Sequence, residues 1–225
     1  MNYDLKGVRA GQKVKPIYLT KLPRDLKTLG DTNQKRELFI KILLPLILDE
    51  NEKIIQDRKK LFKILSKNFN TVGERVWLKR RFKEYKIEDR DLSKLKMRMD
   101  SVPVSIALAQ AANESGWGTS RFALEGNALF GVRTWGSKIP HMKAKGNPDA
   151  DWGVKKYEHK CESIRDMIEI INRHPAYKPF RDERTKQLKE GKWNYKKLIQ
   201  GLNAWSENKD YDHLIYSAIL NKNLP

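Results

Sequence analysis

A single cysteine, Cys161, stands among 225 residues, so no intrachain disulfide can form and the fold rests on packing. It precedes Ile164, Met167, Ile168 and Ile171 on one helical face, which marks it as a small packing or surface residue rather than a nucleophile. Histidine is also scarce. His141, His159, His174 and His213 show no metal-ligand spacing such as H-x-x-x-H, so neither a metal nor another cofactor is expected. Long apolar runs are missing too: the richest, Leu38 to Leu48, is interrupted by Lys41 and Pro45 and followed by Asp49-Glu50, whereas a spanning helix needs ~20 mostly apolar residues. It reads as a core helix with a proline break, and the chain as not transmembrane. The start, Met1-Asn2-Tyr3-Asp4-Leu5-Lys6, lacks the apolar stretch of a signal peptide, and no internal repeat is visible.

Acidic residues are in deficit, 28 against 46 lysines and arginines, for a formal charge of +18. So basic a surface favours anionic partners such as cell-wall polymers, nucleic acid or membrane headgroups. Zinc-finger spacing, aromatic ribonucleoprotein strand motifs and basic-zipper heptads are all lacking, so no specific nucleic-acid reader is indicated. The lysines spread over the whole chain as a solvated surface would. An apolar fraction of 39% is enough for one substantial core with an extension.

Residues 1–33, with Pro16, Pro23, Gly7, Gly11 and Gly30 and little periodicity, predict an extended arm. An apolar face through Ile54, Leu61, Leu65 and Phe69 predicts a helix. Val76, Trp77, Phe82 and Tyr85 predict another after a break at Asn70-Thr71, and Leu92–Met99 a shorter one. Glycines and prolines at 131, 136, 140, 146, 148 and 153 cut Val132–Tyr157 into short extended pieces, a small β-lobe or a long loop. Helical patterns return at Glu162–Arg173, Lys186–Leu188, Tyr195–Leu202 and Tyr211–Asn221. The expected class is mainly α, as α+β, with residues 1–71 an arm and helical extension and 72–225 one domain.

What the chain does have is Ala111-Ala112-Asn113-Glu114-Ser115-Gly116-Trp117-Gly118. Pro103 suits the first turn of a helix, Ile106 to Ala112 make a buried segment, and Gly116 stops it. Glu114 then falls in the last turn, by the negative end of the helix dipole and beside an indole, and both disfavour its ionised form. Such a carboxyl suits a general acid that protonates a glycosidic leaving oxygen. A surface glutamate ahead of a loop is the plainer alternative. Gln110, at i and i+4 with Glu114, either hydrogen-bonds the acid or a sugar, or is a helix-packing amide. Trp117 offers rigid apolar area to desolvate Glu114 and stack on a pyranose, or serves only the core. Ser115 and Thr119 read as local hydrogen-bonders shaping the helix end.

The run from Arg98, RMDSVPVSIALAQAANESGWGTSRFALEGNALFGVRTW, resembles the Bax-like and FlgJ-like bacterial glucosaminidases of glycoside hydrolase family seventy-three. The likeness continues through Tyr157, Glu162-Ser163-Ile164-Arg165, His174-Pro175-Ala176-Tyr177 and Phe180-Arg181 to Trp205-Ser206-Glu207 and Tyr211; Ile17-Tyr18-Leu19-Thr20 to Pro45 also looks like the Bax-like subgroup. The resemblance implies a lysozyme-like helical body with the β-lobe flanking a substrate groove. It implies a peptidoglycan or related N-acetylglucosamine-containing glycan as substrate, cut after N-acetylglucosamine. Periplasmic, cell-envelope or extracellular work is implied as well, reached through a removed leader or another export route such as a phage-type lysis system. Asn127, Leu129, Phe130 and Gly131 match the segment that walls the sugar groove, with Asn127 giving polar contacts and Phe130 wall or core. Tyr211 matches a tyrosine implicated in positioning substrate. Trp205 replaces the family's first aromatic tyrosine and so lacks its phenolic donor.

A second carboxylate is harder to place, since glycosidases set the pair about 5–5.5 Å apart when retaining and about 6.5–9.5 Å apart when inverting. Asp149 and Asp151 are the lobe's own acids; a solvated turn is their alternative, and the substrate's acetamido group is another nucleophile. A lytic transglycosylase or muramidase, or a non-catalytic glycan-binding module, remain the competing readings.

Overall fold

The computed structural model describes residues 5–9, 11–14, 19, 21–221 and 224. Among the described residues ten helices appear in chain order: α1 Leu5–Arg9, α2 Thr32–Leu65, α3 Val72–Glu84, α4 Leu92–Arg98, α5 Val104–Ser115, α6 Arg121–Gly126, α7 Lys160–Arg173, α8 Lys178–Glu190, α9 Tyr195–Gln200 and α10 Tyr211–Asn221. Short 3-10 turns cover Arg24–Lys27, Pro175–Tyr177 and Asn203–Trp205. Strands β1 Arg133–Trp135, β2 His141–Met142 and β3 Trp152–Lys155 form one antiparallel sheet of order β1-β3-β2, with Trp135 opposite Trp152 and Met142 opposite Val154. The protein is mainly α with a small sheet, as the sequence predicts.

Two compact units share the chain. The first comprises residues 1–50, 103–167 and 217–225; the second comprises 51–102 and 168–216.

In the first unit α2 contributes Phe39, Ile40, Ile42, Leu43, Leu44, Leu46 and Ile47, all buried. The proline break expected at Pro45 does not occur: the helix runs through it. A mid-helix proline forfeits one hydrogen bond and costs ~3 kcal/mol. Burying seven large apolar side chains at about 1.5–3 kcal/mol each outweighs that. The arm is a second correction, since its described part holds α1 and a 3-10 turn and buries Leu5, Leu22 and Leu26. Ile17, Tyr18 and Thr20 of the Bax-like segment lie outside the described residues. The lobe is tied to α7 through Asp166, which accepts from Lys155 Nζ at 2.6 Å and Tyr157 Oη at 2.7 Å. Burial first, then the Asp166 charge, raises the Tyr157 phenol far above its usual range. Arg165 reaches Glu50 with two bonds of 2.9 and 3.0 Å, the bidentate geometry that suits a buried carboxylate.

Lys160, the first residue of α7, is 0% exposed, and its Nζ has no hydrogen-bond partner among the described residues. Burial lowers its ammonium to about 8, and the Lys21 charge acts in the same direction. An unfolded chain holds a lysine proton to about 10.4. The unfolded state therefore binds more protons between about 8 and about 10.4, so stability rises with pH across that window and the burial penalty is full below it. Lys160→Met should raise stability at pH 7 by on the order of 1–3 kcal/mol, with the gain shrinking towards pH 10. Denaturant midpoints at the two pH values check this; a loss at pH 7 refutes it.

The second unit packs Leu61, Ile64, Trp77, Phe82, Tyr85, Ile87, Leu95 and Met99 into a core. The predicted break at Asn70-Thr71 is real: Thr71 Oγ1 accepts from Glu74 N at 3.2 Å, and Glu74 Oε2 accepts from Thr71 N at 2.9 Å, a capping box that starts α3. Asn51 closes the segment, its side chain pairing with both backbone groups of Val102 at 2.8 and 3.1 Å. Helix α8 is far longer than the three residues predicted. Its buried stripe is Phe180, Arg181, Arg184 and Gln187, helical in spacing but polar in composition. Arg184 donates to Met97 O, Ser101 O and Asn172 Oδ1 at 2.8–2.9 Å, and so satisfies the carbonyls where α4 ends.

Candidate active site

Helix α5 is buried nearly all round, from Ser105 to Ala112, the pattern of a central core helix. Its last turn surfaces at Asn113 and Glu114, which is half-buried, with Asn113 Nδ2 3.4 Å from Glu114 Oε1. The stop at Gly116 holds, with φ +57°. Trp117 and Gly118 follow at φ +57° and +78°, three left-handed residues in a row, of which the tryptophan pays the steric cost of its Cβ.

Local hydrogen bonds hold this turn. Trp117 N donates to Ala112 O at 2.9 Å, closing the helix end. Ser115 Oγ donates to Ala111 O and accepts from Gly118 N at 2.8 Å, while Thr119 Oγ1 donates to Gly116 O at 2.7 Å. Ser115 and Thr119 thus shape the helix end as their placement predicts. The Trp117 indole lies edge-on to Phe39, 5.7 Å between centroids, with the Arg36 guanidinium 5.3 Å over its ring. A Cβ on Gly118 would stand 2.9 Å from Leu22 Cδ1 and from Phe39 Cδ2. Sequence reasoning does not name Leu22, Leu26, Arg36 and Phe39 as site residues; their signals are the i,i+4 spacing of Leu22 and Leu26, the apolar run that holds Phe39, and the Bax-like likeness of the segment up to Pro45.

The second matched motif reaches the same carboxyl. Gly131, at φ +62°, sits where a Cβ would be 3.8 Å from Glu114 Oε2, so its backbone flanks the acid without crowding it. Ser163 Oγ, buried, accepts from Leu129 N at 3.1 Å and fixes the segment leading there.

Other expected contacts are placed differently. Asn127, 7% exposed, is the left-handed cap of α6 and gives its amide hydrogens to Tyr157 O and Glu158 O at 3.1 and 2.8 Å, so its side-chain donors are engaged by backbone. Gln110 and Tyr211 are fully enclosed, and Phe130 nearly so, which for Gln110 and Phe130 is the packing alternative. In this conformation none of the three presents surface to a substrate. Trp205 is half-buried, tilted against Tyr177 at 5.7 Å between centroids. Tyr211 and Trp205 belong to the second unit, Glu114 to the first. Asp149 and Asp151 are exposed in the β2–β3 connection, which Lys143 Nζ holds through Trp152 O at 3.1 Å. Among the described residues no cluster of His, Cys, Asp and Glu could hold a metal ion, and no helix is long and apolar enough to cross a membrane.

A partly exposed carboxyl at the end of a buried helix, beside a glycine-flanked strand entry, suits proton delivery to a glycosidic oxygen. Residues 91–224 match the glucosaminidase family, whose description is mannosyl-glycoprotein endo-beta-N-acetylglucosaminidase, and the chain belongs to that family of glycoside hydrolases. It is 27% identical over 204 residues to Protein bax of Escherichia coli (strain K12), across 86% of this chain and 72% of that protein. The catalytic domain of the autolysin Auto from Listeria monocytogenes is a structural neighbour with TM-score 0.41 and 19% identity, over 75% of this chain and 94% of that one.

Proposed function

We propose that the protein is an endo-β-N-acetylglucosaminidase of peptidoglycan, cutting the β-1,4 bond after N-acetylglucosamine, with Glu114 as general acid. The observation that carries this is the Glu114 carboxyl, half-exposed at the end of the buried α5 with Gly131 beside Oε2. Membership of the glucosaminidase family supports the bond. For Tyr211, enclosed in the second unit, the substrate-positioning role rests on the family resemblance alone. Trp117 supplies apolar cover near the acid. The catalytic domain lies within 72–225, and the N-terminal stretch lends it Leu22, Leu26 and Phe39. Work at the cell envelope or outside the cell, on an anionic wall, agrees with the +18 charge.

Mass analysis of muropeptides after digestion tests the reading. A reducing N-acetylglucosamine end is expected. An anhydro-muramic end would mark a lytic transglycosylase, a reducing muramic end a muramidase, and absence of product a binding module; each refutes the proposal. The same digests address the second group. If a lobe carboxylate acts, one of Asp149→Asn and Asp151→Asn alone should lose activity nearly as severely as removal of the acid, because the pair works as a unit. We favour Asp151, next to Trp152. Retention of activity by both, with refusal of a substrate lacking the 2-acetamido group, would instead mark substrate-assisted attack.

A further inference from the structure

The polypeptide that flanks the acid continues directly into β1. Trp135 lies four positions after Gly131, so their Cα atoms lie within about 14 Å. Along β1 the side chains alternate: Thr134 is buried, Arg133 and Trp135 exposed. Trp135 is 61% exposed, an indole held on a strand rather than on a loop. Directly across the ladder stands Trp152, and the Arg133 guanidinium lies 4.3 Å over the Trp152 ring. One face of the sheet therefore carries two indoles and a cation. The strand beneath is fixed by Lys155 on Asp166 at 2.6 Å and by Lys143 Nζ on Trp152 O at 3.1 Å. Large exposed aromatic surface on a braced strand loses little entropy when a flat ligand settles on it.

From this geometry we infer that Trp135 and Arg133 form a subsite for an anionic glycan strand, Trp135 stacking on a sugar face and Arg133 pairing with a carboxylate carried by the strand. The inference rests on the proposed cleavage at Glu114 and adds to it a preference for carboxylate-bearing, N-acetylated glycan over neutral oligomers. The fork of an arginine suits a carboxylate, and stacking over Trp152 pre-orders it.

The experiment uses the full chain and its Trp135→Ala, Trp135→Phe and Arg133→Gln variants. KM and kcat are read on intact sacculi, on sacculi with amidated carboxyls, and on neutral N-acetylglucosamine oligomers. Trp135→Ala should raise KM on sacculi about tenfold with kcat within about threefold, and Trp135→Phe should restore most of the loss. Arg133→Gln should raise KM on intact sacculi alone. An unchanged KM for Trp135→Ala, failure of phenylalanine to rescue, or an Arg133→Gln effect equal on neutral and anionic substrates would overturn the subsite. Adsorption of the same variants to sacculi ranks them without turnover, so a lack of cleavage does not hide the answer, and a melting curve of each variant separates a fold defect. A muramic reducing end in these digests would refute the bond assignment and leave the subsite standing. Unchanged KM with an N-acetylglucosamine end does the reverse.

Discussion

Glu114→Gln should cut the rate of cell-wall clearing by roughly 10²–10⁴-fold, the usual contribution of a positioned general acid, while leaving the fold in place. The amide keeps the shape of the side chain and cannot deliver a proton. Because Glu114 is half-exposed at the last turn of α5, where the buried stretch has ended at Ala112, little packing depends on its charge. The thermal midpoint should stay within a few degrees of wild type. Kinetics on sacculi beside a melting curve separate the two effects, and clearing at the wild-type rate would remove Glu114 from the mechanism.

The second large effect is expected at Gly118. Its φ of +78° puts an L-residue in the left-handed region, at about 1–2 kcal/mol. An added Cβ would also press at 2.9 Å on Leu22 and Phe39 and at 3.1 Å on Leu26, and overpacking of that kind costs typically 1–3 kcal/mol. Gly118→Ala should therefore lose roughly 2–5 kcal/mol, against about 1–2 for Gly116→Ala, whose nearest neighbour is Thr119 Oγ1 at 3.5 Å. Denaturant unfolding of both variants measures the difference, and equal losses would show that the leucines and Phe39 yield. The partners pressed by Gly118 all precede residue 91, where the family match begins. A fragment confined to 91–225 should accordingly lose the support of the turn that follows the acid.

Legibility tracked chemistry that shows in one dimension. The α5 helix could be read from an apolar block between Pro103 and Gly116, and the lobe from its spaced glycines and prolines, because these residues act on their own backbone. The Thr71 break could be read for the same reason. Helix α8 could not: its buried stripe contains Arg181, Arg184 and Gln187, and what makes burial of Arg184 tolerable is a set of carbonyls far away in sequence, at Met97 and Ser101. Pro45 misled because the burial that overrides it is tertiary. At the site, Glu114 and Gly131 were both legible as motifs, yet their juxtaposition was not. Asn127 looked like a sugar ligand, since nothing local reveals that Tyr157 and Glu158 present carbonyls to it. Arg36 and Phe39 were invisible as site residues because the contact is with a turn nearly eighty positions on.

The interleaving of the two units bears on the order of events during synthesis. The unit that holds Glu114 draws on residues 1–50, 103–167 and 217–225, so its contacts span most of the sequence. Loop closure over such separations is slow and comes late in folding. A ribosome that has reached residue 167 has made the acid, its turn and the lobe, yet the segment completing that unit still lies ~50 codons ahead, after the whole of 168–216. The unit that carries Glu114 is in this way completed only after the whole of 168–216 has been made.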